Sequence, residues 1–144
     1  MAHPDHILYL ISRLQEQAFR FLSRELGQRG IQGIEPSHGA IIRQLEMHGS
    51  LSMSQLAKLI DRTKPTVTVL VRKLEKNGYV TRIPDPTDGR VTKISLTEKT
   101  KALADDLQEV SLLMIQKVYL GLSDTEQQDF VDRLENAALN FTGE

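Results

Sequence analysis

At 144 residues, with 40% hydrophobic and 26% charged side chains, the chain has the size and balance of one soluble domain with its own core. It has no cysteine and no apolar run near the roughly 20 residues that span a bilayer, which excludes disulfides, thiolate zinc sites and a membrane helix. Its net charge of −1 argues by itself for no polyanionic partner.

The start, Met-Ala-His-Pro-Asp-His, lacks the positive end and apolar segment of a secretory signal, so a cytoplasmic protein is expected. Residues 5–29 then read as one long helix. Ile7, Leu10, Ile11, Leu14, Ala18, Phe21 and Leu22 recur at the spacing of a single helical face. Gly27, Gly30 and Gly33 loosen the chain. Pro36 and Ser37 open a second helix, since proline suits a first turn, and Ile41, Ile42 and Leu45 give it a core face. Gly49 ends it, and Leu51 is expected in a very short strand.

Ser52 caps a third helix, with Gln55 three places on completing a capping box. Leu56, Ala57 and Ile60 face the core, and Asp61-Arg62-Thr63 makes a tight polar turn. Thr63 can cap a fourth helix over Lys64–Asn77, ended by Gly78. Val67, Leu70, Val71 and Leu74 form its apolar stripe. At 100° per residue the opposite face carries Pro65, Thr68, Val69, Arg72 and Lys76, with Lys73 at its edge. Tyr79–Ile83 and Val91–Leu96 read as paired strands. The Pro84–Arg90 segment between them is rich in turn residues and too long for a two-residue turn, so it should project. Thr97 caps a fifth helix running to about Tyr119, striped by Leu103, Leu107, Val110, Met114 and Val118. After Gly121, Ser123 and Glu126 form a second capping box. The last helix, carrying Phe130, Leu134, Ala137, Ala138 and Phe141, runs to about Phe141.

The predicted architecture is therefore mainly α with a small antiparallel β-wing: a winged helix-turn-helix with long terminal helices. Charge concentrates on it. Between Lys58 and Lys93 nine Lys or Arg stand against four acids, +5, which leaves −6 for the rest. A local positive patch steers polyanions to one face, although charge alone leaves open an ordinary solvated face. The major groove of B-DNA admits a helix whose first residues reach base edges. Those residues here are Lys64, Pro65, Thr66, Thr68 and Val69. Arg72, Lys73 and Lys76 lie further along and suit phosphates. Arg90 at a projecting tip suits the minor groove, and Asp88 can orient it by an ion pair.

Ser54-Gln55-Leu56-Ala57, Lys64-Pro65-Thr66-Val67-Thr68, Leu74-Glu75-Lys76-Asn77-Gly78-Tyr79-Val80 with Arg82, Asp85-Pro86-Thr87-Asp88-Gly89-Arg90 and Ser95-Leu96-Thr97-Glu98-Lys99 together resemble the MarR family of bacterial transcription regulators. The resemblance is close over about residues 33–101, and the wing followed by Leu-Thr-Glu is its most specific part. It implies a homodimer built by the first, fifth and sixth helices, with two recognition helices entering successive major grooves of a pseudo-palindromic operator. It maps the recognition helix to Lys64–Asn77, the wing arginine to Arg90 and its acid to Asp88. It also implies a small anionic or phenolic effector acting from the junction of the dimer helices and the DNA-binding part. Two positions depart from the family. Val69 stands where many members carry a polar or basic residue, and Thr100 replaces a common glycine, which predicts a straighter start to the fifth helix.

The expected division is a helical dimerisation region, residues 1–35 and 97–144, around a DNA-binding region, residues 36–96. Independently of the resemblance, Ile7, Leu10, Ile11, Phe130, Leu134 and Phe141 exceed what a small core needs, and a symmetric partner would bury them. His3, His6, His38 and His48 contain no i, i+4 pair, so no metal site is assigned and His38 is expected to be a capping or surface histidine. No catalytic constellation or cofactor motif is found: serines and aspartates sit at caps and turns. The expected function is transcriptional regulation, most simply repression by covering double-stranded DNA as a homodimer. A winged-helix protein-interaction module without DNA binding, or a metal-responsive repressor, are the alternatives.

Overall fold

The computed structural model describes residues 3–142. A short 3-10 turn at Pro4–His6 leads into α1 (Ile7–Gln28), and another at Pro36–His38 leads into α2 (Gly39–His48). Then follow β1 (Ser50–Ser52), α3 (Met53–Leu59), α4 (Lys64–Lys76), β2 (Val80–Pro84), β3 (Thr92–Leu96), α5 (Glu98–Ala102), α6 (Ala104–Val118) and α7 (Asp124–Leu139). The sheet is antiparallel with β3 in the middle, in the order β1-β3-β2. Leu51 lies opposite Ile94, and Val80 opposite Leu96. This is the mainly α, winged helix-turn-helix architecture expected. No helix among the described residues is long and apolar enough to cross a membrane.

The principal core fills the winged-helix lobe. Ile41, Leu45, Leu56, Val67, Val71, Leu74 and Ile94 are buried completely or nearly so. Each comes from the inward face of its own element, as the 3.6-residue and two-residue periods require. A smaller cluster, Leu26, Ile31 and Val110, joins the end of α1 to α6. Arg29 reinforces that joint by donating to Asp106 and Glu109, each at 3.0 Å. Beyond it the terminal helices carry little core: Leu26 is the one buried residue of α1, and α7 buries none.

The expectation for the fifth helix needs correction. The fifth helix is not continuous, and its start is not straight. It breaks at Leu103 into α5 and α6. Its first turn is pulled onto the sheet, because the Thr100 hydroxyl donates to the Tyr79 carbonyl at 2.5 Å while α6 follows α1. Of the two roles expected for His38, capping or surface, it takes the cap: its Nδ1 accepts the Glu35 amide at 2.9 Å, and the side chain is fully buried.

Candidate nucleic-acid interface

The turn between α3 and α4 sets the helix-turn-helix angle. The amide of Arg62 reaches the Ala57 carbonyl at 3.0 Å and that of Asp61 reaches Lys58 at 3.4 Å, a reciprocal helix stop with Asp61 in the left-handed conformation, φ 54°. Aspartate is among the few residues with a side chain that enter that region readily. Thr63 then starts α4. Its hydroxyl accepts the Thr66 amide at 3.4 Å and donates to the Thr66 hydroxyl at 2.9 Å. Pro65 occupies the first turn, where its missing N–H leaves nothing unsatisfied.

With Val67, Val71 and Leu74 buried, α4 turns the opposite face outward. Lys64, Pro65, Thr66, Val69, Arg72, Lys73 and Lys76 are exposed there. Val69 is 66% exposed, an apolar side chain with no core to serve. Thr68 is half-buried, and its hydroxyl donates back to the Lys64 carbonyl at 2.9 Å. Its proton is therefore spent inside the helix, leaving lone pairs and a methyl for any partner. Lys73 is committed as well: it pairs with Glu35 in the linker before α2. That pairing and the Lys73 hydrogen bond hold the Glu35 carboxyl below its ordinary range.

The wing projects from β2 and β3 and is organised by the carboxylate of Asp85, a motif residue to which the sequence assigned no role. Asp85 Oδ1 accepts from the Thr87 amide at 2.8 Å and the Thr87 hydroxyl at 2.7 Å. Those bonds, the amide first, draw its carboxyl down to about 2, so it stays ionised at neutral pH. Its signal was present as Asp-Pro-Thr, the pattern of an aspartate bonding the backbone two residues on. At the tip, Arg90 Nε donates to Asp88 Oδ1 at 3.0 Å and Nη2 to Oδ2 at 3.2 Å. The Arg90 amide adds a bond of 3.1 Å to the same carboxylate. The expected pair forms, and it lowers the Asp88 carboxyl. The Arg90 side chain is nonetheless 93% exposed, a charge with a fixed root and a free flank. A further ion pair missed in the sequence, Arg82 Nε to Glu75 at 3.0 and 3.2 Å, ties the base of the wing to α4. Helix face and wing are thereby parts of one rigid lobe.

The MarR family's sequence model matches residues 34–92, which run from the linker before α2 through α4 and the wing to the start of β3. Over those residues, 59 of the chain's 144, it matches the MarR family. SarZ, an HTH-type transcriptional regulator of Staphylococcus aureus, is 32% identical over 96 residues, 67% of this chain and 64% of SarZ, so this chain spans less than two thirds of that relative. Similarity to solved structures extends over nearly the whole fold. The MepR–DNA complex of S. aureus aligns with TM-score 0.80 at 24% identity, covering 97% of this chain and 100% of MepR. BpsR of Bordetella bronchiseptica, whose DNA binding is regulated by 6-hydroxynicotinic acid, aligns at TM-score 0.78 and 17% identity, covering 96% and 97%. The matched stretch is that of the MarR regulators, and the fold is shared with MepR and BpsR.

Proposed function

We propose that the protein binds duplex DNA as a homodimer at a pseudo-palindromic operator and represses by covering it. The DNA-binding region is residues 36–96, and residues 1–35 and 97–144 form the dimer. Lys64, Pro65, Thr66, Thr68 and Val69 face base edges in the major groove, with Val69 limited to apolar contact such as a thymine methyl. Arg72, Lys73 and Lys76 take phosphates, and Arg90, rooted on Asp88, enters the adjacent minor groove. Lys73 exchanges Glu35 for a phosphate on binding. The observation that carries the reading is the exposed, basic and hydroxylic face of α4, fixed to a wing that ends in an exposed arginine.

The dimer reading is supported by apolar side chains that the single chain leaves uncovered at its ends. Leu8 is 75% and Phe141 77% exposed, and Ile7, Phe130 and Leu134 accompany them. A two-fold partner presenting the same faces buries them reciprocally. The small anionic or phenolic effector expected from the family is proposed to act by changing the angle between the two lobes; the structural similarity to BpsR agrees with that class of control.

Salt dependence tests the reading. The affinity for a specific duplex should fall linearly on a log–log plot of salt, and Lys76→Ala should reduce the slope by roughly one. Binding that is insensitive to salt would favour the protein-interaction alternative.

A further inference from the structure

The backbone that follows α4 is tied from two sides. Asn77, Gly78 and Tyr79 each offer a carbonyl to the start of α5. Lys99 Nζ donates to Asn77 O at 2.8 Å, Thr97 Oγ1 to Gly78 O at 2.6 Å, and Thr100 Oγ1 to Tyr79 O at 2.5 Å. From the opposite side, the Tyr79 hydroxyl donates to the carbonyl of Gln32, in the linker that leaves α1. Gly33, the next residue, passes so close that a Cβ there would stand 2.7 Å from the Asn77 side chain. Tyr79 itself is 2% exposed, with its ring in the main core and Lys99 Nζ 4.3 Å from the ring centre. Burial raises the phenol above its ordinary range, so the hydroxyl remains a donor at neutral pH.

Two routes connect the winged-helix lobe to the terminal helices: the linker after α1 and the short α5 before α6. Tyr79 bonds to both, the first through its hydroxyl and the second through its carbonyl. It does so at the C-terminal end of the recognition helix, a rod of about 20 Å. A small rotation at that end is multiplied at Lys64–Val69, the end proposed to meet bases.

We propose that Tyr79 is a positioning residue for DNA recognition: its bonds to Gln32 and Thr100 fix the recognition helix against the terminal helices and so set the half-site spacing the dimer accepts. The inference rests on the proposed dimeric reading of DNA. Tyr79 touches no DNA; it decides where α4 stands. The hydroxyl carries the directional part of the link, since packing of the ring alone allows sliding. Tyr79→Phe removes only that part. The ring, its core contacts and its cation neighbour remain, and the carbonyl of Gln32, an exposed residue, is expected to take a water instead.

The test uses the full-length protein and duplexes carrying two wild-type half-sites at the selected separation, and at separations one or two base pairs longer and shorter. Wild type should bind the selected separation best, with a sharp loss on either side. Tyr79→Phe should bind that separation roughly fivefold less tightly, a loss the size of one hydrogen bond. It should keep wild-type affinity for the shifted separations and for a single half-site. Thr100→Val should flatten the profile in the same way, and Thr100→Ser should retain the wild-type profile. A Tyr79→Phe profile parallel to wild type, at the same or a uniformly lower affinity, overturns the inference and leaves the DNA reading intact. A wild-type protein that binds duplexes without any spacing preference overturns both.

Discussion

Arg90 combines an anchored root with an exposed charge: its guanidinium is forked onto Asp88, yet almost all of its side chain meets solvent. Arg90→Ala should therefore weaken operator binding by roughly tenfold with no change in thermal stability, in a salt-matched titration. Equal affinities would remove the wing from the interface. His38 supplies a prediction of a different kind. Its burial lowers its pKa, with the nearby Glu35 carboxylate pulling the other way. Its Nδ1 accepts the Glu35 amide, so the folded protein requires the neutral ring. The unfolded chain takes up the proton first as pH falls below about 6.5, so stability drops from there towards the lower folded pKa. Urea midpoints at about pH 7.5 and 5.5 should separate more for wild type than for His38→Gln; equal separations would show that His38 does not titrate on unfolding. Arg90 and the capping role of His38 were legible in the sequence; the burial of His38 was not. Arg90 stands in a local motif with its partner two places away. The burial of His38 comes from elements packed around it, and no local pattern announces that.

Helix ends explain most of what sequence foretold at the level of elements. Ser52 with Gln55 and Ser123 with Glu126 form the expected capping boxes, because each requires only side chains three residues apart. Gly78 closes α4: the Tyr79 amide reaches Leu74 O at 2.9 Å and the Gly78 amide reaches Glu75 O at 3.1 Å. That closure needs φ 78° at Gly78, whereas a Cβ would meet nothing nearer than the Lys99 side chain at 3.9 Å. Conformation, not space, sets the cost, and Gly78→Ala should destabilise the fold by ~1 kcal/mol in chemical denaturation. No change in midpoint would show that the left-handed turn carries no strain. The break at Leu103 was illegible for the converse reason. Its stripe of Leu103, Leu107 and Val110 is helical throughout, and what accompanies the break is the bond from Thr100 to Tyr79, twenty-one residues away and just before β2. Likewise Thr68 lies near the outward face, but its hydroxyl is drawn back to Lys64, which periodicity does not encode.

At the scale of the molecule, the chain has one compact lobe and a set of helices with little to pack against. The apolar stripes on α1 and α7 were visible in the sequence as a surplus over what the core requires; the fold leaves that surplus exposed. Leu134 is partly exposed and belongs to a helix with no buried residue, so Leu134→Asp should leave the monomer folded. In sedimentation velocity the variant should shift from dimer to monomer, and an undisturbed dimer would place the interface elsewhere. In the proposed reading, two-fold assembly converts one α4 into a reader of spaced half-sites. Selection of bound sequences from random duplexes shows whether a dimer reads duplex DNA through two such helices. The expected result is enrichment of an inverted repeat whose half-sites lie about one helical turn, roughly 10–10.5 base pairs, apart. Enrichment of no motif, or of one unrepeated half-site, would contradict it.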